Sequence, residues 1–173
     1  RYSTVSEPSL TVPLARFLDE ARALGHPRPS SACVSGAGPV EGGRRIRLTN
    51  AAWDIDGAAV EDLAEAPTLV INDFSAIAWG VLLLDPDDPH ELMALEPPSG
   101  PGPRPDERGP IVVIGAGTGL GFGFVLRDGP EPRVYPSEGG HAGLPAYDDR
   151  TRALAGWLQE RYGHADRKSV VEG

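Results

Sequence analysis

The chain has 173 residues, 40% of them hydrophobic, with a formal net charge of −9 and a single cysteine. That is enough apolar material for the core of one ordinary domain or for parts of two. The negative balance argues against nucleic acid and anionic membrane surfaces as partners, and no apolar run reaches the roughly 18 residues of a membrane span. One cysteine, Cys33, leaves no internal disulfide and fits a reducing, cytoplasmic setting. The start, Arg1-Tyr2-Ser3-Thr4, does not lead into an apolar stretch as a signal peptide would.

Residues 8–24 carry helical spacing, with Leu14, Phe17, Leu18 and Leu24 on one face and Pro13 in the first turn. Gly25-His26-Pro27 stops that helix. Ser31–Ser35 reads as a short strand with Cys33 buried. In Arg44-Arg45-Ile46-Arg47-Leu48 the apolar residues alternate with arginines, the period of a strand with one wet face. Thr49–Gly57 reads as a loop into a helix over 57–65, with Asp54 or Asp56 as its cap and Val60 and Leu63 facing inward. Asp54-x-Asp56-Gly57 lacks the remaining acidic positions of a calcium loop. The four histidines show no close metal-ligand spacing.

Leu69-Val70-Ile71-Asn72-Asp73-Phe74-Ser75 is the most informative stretch. An apolar strand over 68–73 ends at a carboxylate, and a helix over 75–84 follows with Ser75 as its N-cap. A carboxylate where a buried strand turns into a helix is a common seat of chemistry in α/β proteins, and Asp is also an ordinary helix starter. Residues 85–110 then change character. Pro97-Pro98, Pro101, Pro103 and Pro105 crowd a segment expected to be a loop or linker.

Ile111–Ile114 is a buried strand, followed by Gly115-Ala116-Gly117-Thr118-Gly119-Leu120-Gly121. The dinucleotide fingerprint fails because Leu120 stands at its third glycine, and the P-loop fails for want of a lysine. Phe122, Phe124 and Leu126 alternate after the glycines, so the pattern predicts a hairpin. Its tip could cradle a phosphate with backbone N–H groups and the Thr118 hydroxyl, or could simply be a tight turn. Arg133-Val134-Tyr135 is a further short strand. In Ser137-Glu138-Gly139-Gly140-His141 the glycines would let the backbone approach a small polar ligand closely. A helix over 151–162 places Leu154, Leu158 and Tyr162 on one face.

Four of these stretches, in this order and spacing, resemble the bacterial glucokinase family of the actin-like ATPase superfamily: Leu48-Thr49-Asn50 with Trp53, Ile71–Phe74, Ile114–Gly121 and Ser137–His141. The resemblance covers roughly residues 1–164. It implies an α/β, ribonuclease-H-like sugar kinase of two lobes, here an incomplete fragment. Residues 1–109 would be the small lobe, with a Pro-rich linker over 85–109, and 110–165 the beginning of the large lobe. Residues 166–173 do not fit the family pattern and read as a non-native tail, translated adapter, with no structure expected. The family pattern has an Asp-x-Gly-Gly-Thr-Asn hairpin ahead of the matched region and further large-lobe sequence after it. On that reading the fragment would be inactive alone, with uncovered sheet edges and poor solubility. After His141 the family continues Ala/Val-Asp-Phe, where this chain has Ala142-Gly143-Leu144.

The resemblance further implies transfer of the γ-phosphoryl group of ATP to the 6-hydroxyl of glucose, with Mg²⁺ and no metal-ligating residue assigned in this chain. Asp73 matches the catalytic base. Asn72, Asp73, Glu138 and His141 match the sugar-binding residues, and Gly115, Gly117, Thr118 and Gly119 match those lining the ATP phosphates. The sugar would lie between the lobes, and their closure would exclude water. Homodimerisation is typical of the family. A kinase for another hexose or an amino sugar, and a non-catalytic sugar sensor, are the alternatives. The retained Asp73 weighs against the sensor.

Overall fold

The computed structural model describes residues 2–3, 6–48, 53–93, 95, 108–117 and 119–172. Thr49, Asn50, Thr118 and most of the proline-rich segment lie outside the described residues. Two compact units emerge, Arg1–Ala76 and Ile77–Gly173.

The first unit begins with α1 (Thr11–Ala23), in which Pro13 is buried one turn in, where its missing N–H costs nothing. Leu14, Leu18 and Ala21 form its half-buried face, while Phe17 and Leu24, expected inward, are exposed. β1 (Ala32–Gly36) pairs in parallel with β5 (Thr68–Asn72), Ala32 opposite Thr68 and Gly36 opposite Asn72. β2 (Val40–Glu41), β3 (Arg45–Arg47) and β4 (Asp54–Asp56) make a separate antiparallel sheet. The alternation read in the sequence holds in β3: Ile46 is fully buried between exposed Arg45 and Arg47. Ile46, Ile55 and Val70 form the core cluster, joined by Leu10, Val34, Val40, Leu48 and Trp53.

Three local expectations need correction. Residues 54–56 are a strand rather than a loop, because Asp54, Ile55 and Asp56 complete the ladder beside β3. Cys33 is exposed. It and Leu69 are cross-strand neighbours that point away from the core, while Val34 and Val70 of the same strands point into it. In α2 (Gly57–Ala64), Val60 is buried as expected but Leu63 is exposed, and Ala64 takes the inward position one residue on.

Asp56 caps α2, accepting from the Ala58 N–H at 3.0 Å. Gly57 then enters the helix where no side chain fits. A Cβ there would meet Val70 Cγ2 at 2.7 Å and the Arg44 carbonyl oxygen at 2.9 Å. Its own N–H donates to that same carbonyl.

α3 (Asp73–Val81) follows β5 directly. In the second unit β6 (Ile111–Ala116), β7 (Leu120–Leu126) and β8 (Arg133–Ser137) form an antiparallel meander. A 3₁₀ turn (Gly139–His141) and α4 (Asp149–Tyr162) come next. Asp148 and Thr151 form a reciprocal capping box at the start of α4, whose Leu158 is buried. Residues 167–172, for which no structure is expected, form the short helix α5 (Arg167–Glu172). Backbone bonds tie it in, from Arg167 N–H to the Ala142 carbonyl and from Leu144 N–H to the Ala165 carbonyl. No helix among the described residues is long and apolar enough to cross a membrane.

Candidate functional site

The junction of β5 and α3 holds the first pair of predicted site residues. Asn72 is the last residue of β5 and Asp73 the first of α3, so the helix begins two residues before the expected 75. The reason is local. The Asn72 side-chain oxygen accepts from the Phe74 N–H at 2.9 Å and the Ser75 N–H at 3.4 Å, doing the capping expected of Ser75. Ser75 is itself buried inside the first turn. The Asn72 amide nitrogen donates to the Gly38 carbonyl at 3.0 Å, which ties α3 to the turn after β1. Both ends of the Asn72 amide are thereby engaged with the backbone.

Asp73 is half-buried, and one of its carboxylate oxygens accepts from the Phe74 N–H at 3.0 Å. No cation pairs with it among the described residues. It lies in the first turn of α3, where the free N–H groups and helix dipole favour negative charge. A half-exposed carboxylate held by one N–H can accept a proton from a hydroxyl group brought against its other oxygen.

The second unit holds the remaining residues. β6 and β7 form the predicted hairpin, with Gly115 opposite Gly121 and Ala116 opposite Leu120. The Gly117 N–H donates to the Gly119 carbonyl at 2.8 Å across the tip. Strand, glycine turn and strand therefore follow in the order read from the sequence, with no helix after the glycines. Thr118 is outside the described residues.

Glu138 precedes the 3₁₀ turn and His141 ends it. Their side chains, 80% and 54% exposed, approach to 3.7 Å between His141 Nε2 and Glu138 Oε2. His141 Nδ1 lies 3.4 Å from Asp166 Oδ2, a neighbour that sequence reading did not supply because Asp166 is 25 residues further along the chain. The glycines between them also pack closely within the unit. What approaches Gly140 is the Leu120 carbonyl of β7, which would lie 1.9 Å from a Cβ at that position.

The structure thus brings Asn72 and Asp73 together in the first unit, and the glycine hairpin and the Glu138–His141 turn together in the second. Among the described residues no group of three or more His, Cys, Asp or Glu side chains is placed to hold a metal ion.

A family model described as Glucokinase matches residues 1–173. A glucokinase of Nostoc punctiforme is 33% identical over 162 residues, covering 93% of this chain and 44% of that protein. One from Pseudomonas paraeruginosa is 41% identical over 146 residues, covering 83% and 40%. The crystal structure of a glucokinase from an Antarctic psychrotroph superposes with a TM-score of 0.74 at 27% identity, over 98% of this chain and 49% of that one. The glucokinase of Balamuthia mandrillaris, solved in complex with glucose, shares the fold with a TM-score of 0.63 at 19% identity, over 92% and 49%. The chain spans less than half the length of the curated relatives it matches. With the family model matching from end to end, the chain belongs to the glucokinase family.

Proposed function

We propose that this chain is part of an ATP-dependent glucokinase, which phosphorylates glucose at its 6-hydroxyl, and that Asp73 is the catalytic base. The observation that carries the reading is Asp73 itself. A carboxylate with no cationic partner among the described residues stands at a strand-to-helix junction, in a chain that matches the glucokinase family over its whole length. Phosphoryl transfer passes through a loose transition state, so the base need only take the hydroxyl proton late, and a positioned carboxylate suffices. Asn72 supports the role by fixing the start of α3 and hence the place of Asp73.

Glu138 and His141 would bind further sugar hydroxyls. A carboxylate and an imidazole on one short turn offer the mix of acceptors and donors that a polyol needs. Gly115, Gly117, Thr118 and Gly119 would line the ATP phosphates. Mg²⁺ would come with the nucleotide, and among the described residues no group of three or more His, Cys, Asp or Glu side chains is placed to hold it. Lobes of residues 1–109 and 110–165, a cytoplasmic location and homodimerisation belong to the same proposal.

The test is ADP release by the full-length protein against a panel of hexoses and amino sugars. Release that requires glucose supports the reading. Release with another sugar keeps the chemistry and changes the substrate. Sugar binding without any release contradicts the kinase and leaves a sensor.

A further inference from the structure

Gly140 sits where only glycine fits. Its missing Cβ would lie 1.9 Å from the Leu120 carbonyl oxygen and 3.0 Å from the carbonyl carbon. Both are backbone atoms, and neither can swing aside. Leu120 begins β7 opposite Ala116, so the hairpin ladder holds that carbonyl in place. At Gly139 the clearance is also small but softer, with Phe122 ring atoms at 3.2 and 3.3 Å and Ser137 Oγ at 3.5 Å.

The turn that carries these glycines has fewer backbone bonds than the hairpin, and the Arg167 N–H joins it to α5 through the Ala142 carbonyl. Its own backbone bonds are His141 N–H to the Glu138 carbonyl at 2.9 Å and Ala142 N–H to the Gly139 carbonyl at 3.3 Å. The Gly139 N–H adds a bond to Ser137 Oγ at 3.2 Å. The hairpin, by contrast, has a six-residue ladder register from Ile111–Val125 to Ala116–Leu120. A side chain forced in at residue 140 therefore displaces the turn and leaves the hairpin.

We propose that Gly140 is a positioning residue. It seats the turn bearing Glu138 and His141 directly on the Leu120 carbonyl at the start of β7, so that the sugar-binding pair and the phosphate-facing loop keep one fixed spacing. The proposal rests on the kinase reading for its ligands, but the seating itself is a statement about the fold. Its consequence is selective. A methyl group at 140 lifts Glu138 and His141 out of place and spares the nucleotide loop. Gly139→Ala does the same more mildly, because the Phe122 ring can yield where the Leu120 carbonyl cannot.

The experiment compares full-length wild type, Gly140→Ala and Gly139→Ala by steady-state kinetics and backbone amide exchange. Gly140→Ala is expected to raise KM for the sugar about 10- to 100-fold, the scale of a displacement of about 1 Å in a positioned group. KM for ATP should stay within about twofold of wild type, since the hairpin is unmoved. Exchange should quicken at His141 and Ala142 while the β6–β7 amides keep their protection, with Gly139→Ala intermediate in both readouts. Equal changes in the two KM values, or wild-type exchange at the turn, would overturn the proposal. Should Gly140→Ala fail to fold, the same sugar-selective shift in Gly139→Ala decides it. A wild type without sugar-dependent turnover would sink the kinase reading alone, and the exchange pattern would still decide the seating.

Discussion

Asn72, Asp56 and Asp148 each begin a helix, and each does so with a side-chain oxygen on the helix's free N–H groups. The two carboxylates are held below their ordinary range. For Asp148 the main cause is the hydrogen bond from the Thr151 N–H, and the Thr151 hydroxyl adds to it. For Asp56 it is the Arg45 guanidinium at 2.7 Å, then the Ala58 N–H. A carboxyl group whose folded pKa is depressed stabilises the fold above its unfolded pKa, and that contribution fades as pH falls through the folded value. Asp148→Ala should therefore lower Tm at neutral pH, and the gap to wild type should shrink below about pH 4. A gap independent of pH would show that the ionised carboxylate is not what caps α4. That Asp54 or Asp56 caps α2 was legible from the sequence, since Asp before a helical run is a familiar signal, and the structure selects Asp56. The shift of the α3 cap from Ser75 to Asn72 was not, because both residue types cap helices and only the bond to the Gly38 carbonyl fixes Asn72 in position.

Elements came through from sequence where their period was strong. The alternation of Arg45, Ile46 and Arg47 gave β3, and that of Phe122, Phe124 and Leu126 after the glycines gave the β6–β7 hairpin. β4 was missed because three residues, Asp54-Ile55-Asp56, are too few to show a period, and their strand character comes only from pairing with β3. Cys33 was misplaced for a related reason. A short apolar strand does not say which of its faces is covered, and here the Val34–Val70 side meets the core. The close approach at Gly57 was equally invisible, since it depends on Val70 and Arg44 arriving from distant parts of the chain. Gly57→Ala should destabilise the fold by roughly 1–3 kcal/mol, the usual range for overpacking a filled site. Urea unfolding measures it, and an unchanged midpoint would mean that α2 can draw away from β5 without loss. In the core of the same unit, Ile46→Ala should cost about 2–5 kcal/mol, since the side chain is fully buried. A smaller loss in the same unfolding experiment would mean that the sheet collapses around the gap.

At the scale of the whole molecule, the family was legible earlier than the fold was. Four short polar or glycine-rich stretches, each weak alone, point in combination to the glucokinase family, and the family match over residues 1–173 agrees. The arrangement of the described strands into three sheets was not legible, because parallel pairing of β1 with β5 joins segments more than thirty residues apart. Leu69, Ile77, Trp79 and Ile114 are among the large apolar side chains left exposed. Apolar surface on this scale favours association. Expressed by itself, the 173-residue chain should sediment as aggregates or oligomers, whereas a monodisperse monomer would show that these faces are tolerated in water.

The most direct test of the central claim is a comparison of full-length wild type with Asp73→Ala, measuring kcat for ADP release alongside glucose affinity by titration calorimetry. If Asp73 is the base, kcat falls by about 10²–10⁴ while glucose binding stays close to wild type. Undiminished turnover in the variant would contradict the account, because the carboxylate at the β5–α3 junction would then be a helix starter and nothing more.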